Sequence, residues 1–190
     1  MPVREFDPGN DLAAIMQLWL DGNLDAHSFV PAEHWDKKRA EVERAIGEAN
    51  VIVYEEAGEV LGFAGYTDGH VDGMFVRADS RSRGIGAQLL ERVKEDNGTI
   101  TLEVYLQNPR AMQFYTREGF EHVGSGMDAE TFRPQTTMMW RSPLVDFRIE
   151  VPDDLEEQLS QAREELGEAA FQELLAKVRA DIESGNVHRG

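Results

Sequence analysis

Apolar residues recur along this chain with two different periods. In "NDLAAIMQLWLDG", Leu12, Ile15, Met16 and Trp19 fall on one helical face, and Asn10 is the expected N-cap. "NLDAHSFV" reads as a connecting loop. "PAEHWDKKRAEVERAIGEA" opens at Pro31 and alternates its charges, which predicts a second, more exposed helix. The period then drops to two. "NVIVYEE", a turn at Gly58 and "VLGFAGYTD" predict a β-hairpin, and "HVDGMFVRA" a further strand. Leu89, Leu90 and Val93 mark the buried side of a third helix, with a left-handed stop expected at Asn97 and Gly98. In "TITLEVYLQN", Ile100, Leu102, Val104 and Leu106 point one way and Thr101, Glu103 and Tyr105 the other. Strand, glycine turn, helix and strand form a βαβ unit, whose two strands run parallel. "NPRAMQFYTREGF" predicts a short helix closed by Gly119, and "FEHVGSG" and "QTTMMWR" two antiparallel strands across a long loop. The fold class is therefore α/β (α+β): a mixed, mostly antiparallel sheet with a central parallel pair flanked by helices.

The remaining residues break this scheme. From Val145 the pattern predicts a short strand, a helix, a break near Gly167 and a second helix, so the chain divides into residues 1–142 and a strand-helix-helix appendage, residues 143–190. About 45 residues rarely hold a core alone. The appendage is expected to pack on the larger domain or to make the protein a homodimer.

Composition narrows the chemistry. Without cysteine there is no disulfide framework, no thiolate metal site and no cysteine nucleophile. No run approaches a membrane span, and "MPVREFDPGNDL" lacks a secretory apolar region, so no membrane partner and a cytoplasmic location are expected. A formal charge of −17 disfavours nucleic acid, and twelve acidic against five basic residues from Val145 onward disfavour it for the appendage too. Cationic, amine-bearing partners are favoured. The same acidity also suits plain solubility.

Against that acidic background, "SRSRGIGAQLLERV" sets Arg81, Ser82, Arg83, Gly84, Ile85, Gly86 and Ala87 at the start of the third helix. Exposed N–H groups, the helix dipole and two arginines suit a pyrophosphate. It is no Walker loop, because no Lys-Ser or Lys-Thr follows the glycines. It departs from the dinucleotide fingerprint as well, because Leu89 stands where the third glycine or alanine belongs. A simple glycine-rich capped turn has the same composition.

The spacing of Arg81, Gly84 and Gly86, followed by "NPRAMQFYTREGF", resembles the GNAT (Gcn5-related N-acetyltransferase) family over roughly residues 3 to 141. Within it, "LWLDGNLDAHSF" and the strand with "MMW" are most similar to bacterial protein-lysine acetyltransferases. The resemblance implies acetyl-CoA as co-substrate, lying between the strand at 70–77 and the strand at 99–107. It implies that main-chain groups around Phe75 and Val76 pair with the pantetheine arm and that residues Arg81 to Ala87 wrap the pyrophosphate. Asn108 would contact the pantetheine, and Tyr115 would donate a proton to the departing thiolate. The appendage resembles a ribbon-helix-helix, antitoxin-like module.

An ammonium acceptor must lose a proton before it attacks. His70, eleven residues before Arg81, stands where relatives carry a glutamate base, and imidazole titrates near neutrality. It takes that proton, directly or through water, or it merely begins a strand. Asp72 shares its face. Acceptor selectivity would fall to Asp21, Asp25, Glu33, Asp128 and Glu130 beside Phe29, Trp35 and Phe132, a set suited to a cationic amine. His27 and His34 are too far apart in a loop to predict a metal, and none is expected. Two functions remain: an acetyl-CoA-dependent N-acetyltransferase acting on a primary amine, and a non-catalytic acetyl-CoA binder or toxin–antitoxin-like regulatory fusion.

Overall fold

The structure, a computed structural model, describes residues 2–143 together with 160, 161, 163, 164, 167–172 and 176. The chain divides into two compact units, Met1–Phe147 and Arg148–Gly190. In the first, seven strands form one sheet: β1 (Val3–Glu5), β2 (Asn50–Glu56), β3 (Glu59–Thr67), β4 (His70–Val76), β5 (Thr99–Tyr105), β6 (Glu121–Met127) and β7 (Pro134–Arg141). Their order is β1-β2-β3-β4-β5-β7-β6. Every neighbouring pair is antiparallel except β4–β5. The expected mixed sheet with its parallel pair is thus present. The helices are α1 (Leu12–Ala26), α2 (Ala32–Glu48), α3 (Ile85–Asp96) and α4 (Pro109–Arg117).

Strand alternation sorts the core into two layers. Ile52, Tyr54, Ile100, Leu102 and Val104 meet Leu89, Leu90 and Val93 of α3 and Tyr115 of α4 on one face. Val51, Val53 and Phe63 meet Ile15, Trp19 and Trp35 of α1 and α2 on the other. Ile15, Ile52, Leu89 and Leu90 are all fully buried, each worth roughly 1.5–3 kcal/mol of apolar transfer.

Local departures from the sequence reading have physical causes. Helix α1 does not stop at Gly22 but runs on to Ala26. A Cβ at position 22 would lie 2.3 Å from Cδ1 of Phe75, so this glycine makes room for a ring rather than ending a helix. The N-cap of α1 is Asp11, not Asn10, and its carboxylate turns instead to Arg4 at 2.7 and 2.9 Å. That pairing anchors β1, a strand of three residues too short for its period to show. Helix α3 ends at Asn97 in extended backbone, not in a left-handed turn, because the Asn97 amide donates to the Val93 carbonyl at 2.8 Å and the chain enters β5 directly. Leu106 lies beyond the end of β5 and is exposed. The loop between β6 and β7 is short, and Asp128 closes it by accepting from the Thr131 N–H and hydroxyl, each at 2.6 Å.

The parallel junction positions the site. Only His70 and Thr101 are paired between β4 and β5, whereas seven residue pairs join β5 to β7. On its other edge β4 carries one extra residue, Asp72, where its register with β3 steps from Gly65↔Gly73 to Tyr66↔Val71. Such a bulge bends and twists the strand that carries it. Beyond His70 the two strands part.

In the second unit, residues 160, 161, 163 and 164 and residues 168–172 are helical, with Gly167 at φ 74° between them. The strand expected from Val145 and the dimer contact expected of the appendage lie outside the described residues.

Candidate functional site

A cleft of about 930 Å³ opens where β4 and β5 separate, bounded also by the end of α1, the start of α3 and α4. Phe75, Val76, Arg81, Ser82, Gly84, Ile85, Gly86, Ala87, Asn108 and Tyr115 all line it. Two residues singled out from the sequence, His70 and Arg83, are not among the lining residues.

At one end, Gly84 at φ 81° turns the chain into α3, and no side chain caps the helix. The first intrahelical bond is donated by Gln88 to the Gly84 carbonyl, so the N–H groups of Ile85, Gly86 and Ala87 have no partner within the helix. Three outward N–H groups at a helix N-terminus, on the wall of a cleft, fit a phosphate. Arg81 adds charge: its Nε donates to the Val76 carbonyl at 3.0 Å, and its guanidinium meets Asp25 at the end of α1. Arg83 turns the other way and pairs with Glu56 at 2.7 and 2.9 Å. Of the two arginines, the cleft holds one.

The opposite wall comes from α4. Asn108 caps this helix, its side-chain oxygen accepting from the Ala111 N–H at 3.1 Å, and Pro109 occupies the position where no donor is needed. Tyr115 sits on the inner face between Phe114 and Phe120, and Gly119 at φ 88° ends the helix. The Tyr115 residue is 8 % exposed, and burial raises its hydroxyl well above the ordinary tyrosine range. It stays protonated at any physiological pH, the state a proton donor needs.

Beside these walls stands a carboxylate that sequence reading passed over. Glu103 points from β5 into the cleft. Its Oε2 lies 3.2 Å from Nε2 of His70, whose Nδ1 is 3.1 Å from the Thr101 hydroxyl. His70 therefore backs the cleft rather than lining it. Asp72 does line it and accepts from the Thr67 hydroxyl at 3.1 Å. A period-two pattern had placed Glu103 on a strand face, but only the separation of the strands makes that face a cavity wall.

Of the acceptor-side residues, Asp25, Phe29, Trp35 and Asp128 line the cleft, whereas Asp21, Glu33, Glu130 and Phe132 do not. Glu130 is held by Lys38, and Phe132 is 72 % exposed. His27 packs its ring against Tyr105 at 4.9 Å and against Phe29 and Trp35, each at 5.7 Å. Burial pushes the His27 imidazole down to about 4, so it is neutral. Although burial pushes Asp128 up, its bonds from Thr131 and nearby N–H groups hold it below the ordinary carboxylate range. The cleft lining carries both charges, Arg81, Arg110 and Arg117 with Asp25, Asp72, Glu103 and Asp128, and Asp25 is paired with Arg81.

A second cavity, of about 620 Å³, lies over Arg4, but that guanidinium is already spent on Asp11 and Glu55. Among the described residues no three histidine, aspartate or glutamate side chains group as metal ligands. No helix among them is long and apolar enough to cross a membrane.

Comparison with known proteins gives this geometry a context. Residues 23–139 match the family profile described as acetyltransferase (GNAT) domain. Over 133 residues the chain is 35 % identical to peptidyl-lysine N-acetyltransferase YiaC of Escherichia coli K12, covering 69 % of this chain and 91 % of that protein. It is 29 % identical to peptidyl-lysine N-acetyltransferase YjaB of the same organism, over 62 % of this chain and 79 % of the relative. The solution structure of apo YjaB from Escherichia coli superimposes with a TM-score of 0.65 at 24 % identity, covering 73 % of this chain and 95 % of that one.

Proposed function

Since the chain belongs to the GNAT acetyltransferase family, we propose that it moves the acetyl group of acetyl-CoA to the side-chain amine of a lysine in a protein or peptide, by direct attack with both substrates bound. The observation that carries this reading is that one cleft holds the uncapped start of α3, Asn108, Tyr115 and Glu103, with His70 against Glu103 from behind. Bound acetyl-CoA supplies an activated thioester. The N–H groups of Ile85, Gly86 and Ala87 with Arg81 receive its phosphates, and the β5-facing edge of β4 near Phe75 and Val76, which forms no ladder with β5, offers main-chain groups to its amide-bearing arm. Glu103, with His70 behind it, takes the proton that the lysine ammonium must lose. As the amine nitrogen bonds the carbonyl carbon and the carbon–sulfur bond breaks, the Tyr115 hydroxyl gives its proton to the thiolate, and the second proton that the nitrogen sheds in becoming an amide restores the hydroxyl. The acidic residues of the lining suit a cationic acceptor, as does the peptidyl-lysine activity for which YiaC and YjaB are named.

Thiol release from acetyl-CoA over a panel of lysine peptides, amino-terminal peptides and polyamines tests this. Turnover is expected with lysine peptides. Intact acetyl-CoA binding with no turnover on any acceptor would establish the non-catalytic binder instead. Glu103→Gln and His70→Ala separate the pair: kcat is expected to fall further for Glu103→Gln, and an unchanged pH profile for His70→Ala would remove the histidine from proton transfer.

A further inference from the structure

The neutral imidazole at the end of α1 is engaged on both nitrogens, and the roles of its partners are set by their other bonds. The Asn23 amide nitrogen donates to the Trp19 carbonyl at 2.8 Å, so the Asn23 atom facing His27 is the oxygen, which can only accept. Nδ1 of His27, 2.9 Å from that oxygen, must therefore carry the ring proton. Nε2 is left with a bare lone pair. Facing it at 3.5 Å is the Asn108 amide nitrogen, whose orientation is fixed because the Asn108 oxygen accepts from the Ala111 N–H. A directional chain of donors thus runs from α4 through Asn108, His27 and Asn23 to the Trp19 carbonyl, joining two elements on opposite sides of the cleft.

We propose that His27 is a positioning residue for acetyl transfer, holding the Asn108 carboxamide so that its remaining N–H and its remaining oxygen lone pair face the coenzyme. One donor and one acceptor side by side match a single amide group, and the pantetheine arm of acetyl-CoA carries such groups. The ring cannot swing away, because Tyr105, Phe29 and Trp35 enclose it and its own backbone N–H is bonded to the Asn23 carbonyl at 2.8 Å. The 3.5 Å contact to Asn108 is the longest link, and contacts of this kind tighten when substrate binds. The inference rests on reading the cleft as the acetyl-CoA site.

The histidine has two conservative replacements that separate its two bonds. In His27→Gln the amide oxygen reaches the place of Nε2 and keeps the Asn108 contact. In His27→Asn the side chain reaches only the place of Nδ1 and loses it. Calorimetric titration of acetyl-CoA is expected to show binding weakened about tenfold in His27→Asn and within about threefold of the parent in His27→Gln. Adding His27→Asn to Asn108→Ala should cause no further loss, because the two residues act through one contact. Equal weakening in both histidine variants, full additivity with Asn108→Ala, or parent-like binding in His27→Asn would each overturn the role. If the parent chain does not bind acetyl-CoA at all, the reading of the cleft falls and this inference with it. Where the histidine variants do not fold, imidazole nitrogen NMR of the parent chain decides: acetyl-CoA should shift His27 Nε2 in the parent and not in Asn108→Ala. No shift in the parent would overturn the proposal.

Discussion

The two edges of β5 are bonded very differently. Seven residue pairs tie it to β7 along its whole length, and a single pair ties it to β4. A parallel neighbour could have continued the ladder, and the chain gives up those bonds between β4 and β5. Open main-chain groups, Glu103 and the approach to Tyr115 lie on the side where the bonds are missing. On the closed side, Thr136, Thr137 and Met138 of β7 complete the sheet, and Thr136 and Met138 are buried. One strand therefore serves as structural centre by one edge and as the wall of the proposed reaction site by the other. Stability and chemistry separate along a line one strand wide.

Substitutions that act on one side alone sharpen this contrast. The largest effect is expected from Tyr115→Phe, which keeps the buried ring and removes only the hydroxyl. Steady-state kinetics should show kcat lowered by ~10²-fold or more, with the urea midpoint barely moved. Ile100→Ala should do the reverse. This β5 side chain is fully buried and lies outside the cleft lining, and its loss should cost ~2–5 kcal/mol in equilibrium unfolding while what remains folded keeps its acetyl-CoA affinity.

A smaller effect depends on pH. His27 is held neutral down to about 4, whereas an unfolded histidine takes up a proton near 6.5. Between those values the unfolded chain binds a proton that the folded chain refuses, so stability falls as pH drops from about 6.5 to about 4 and levels off below. Unfolding midpoints for His27→Gln should lose that part of the slope. Least of all, Asp25→Asn releases Arg81 from its exposed partner. Acetyl-CoA should then bind up to about fivefold more tightly, a gain that disappears at high salt.

Much of this was legible from the chain, for reasons that also mark where legibility ends. Alternation in residues 99–105 placed Leu102 inside and Glu103 opposite, because side-chain direction has period two whatever the neighbours do. It could not show that the face bearing Glu103 borders a gap, since that depends on a bulge at Asp72 in another strand. Arg81 and Arg83 read alike as phosphate partners, yet which of them faces the cleft is decided by Asp25 and Glu56, far away in sequence. Asn108 and Tyr115 were singled out through the resemblance of "NPRAMQFYTREGF" to a family motif, and one short helix carries both to the cleft. His27 was read as part of a loop, because Gly22 imitates a helix stop and the ring that fills its space belongs to Phe75.

The most direct test of the open edge as the coenzyme site is an amide NMR titration of the full chain with acetyl-CoA. The account predicts perturbed N–H signals at Phe75, Val76, Ile85, Gly86, Ala87 and Ala111, with those of β6 and β7 nearly still. No saturable shifts, or shifts centred instead on Arg4, Glu55 and Arg77 at the second cavity, would contradict it.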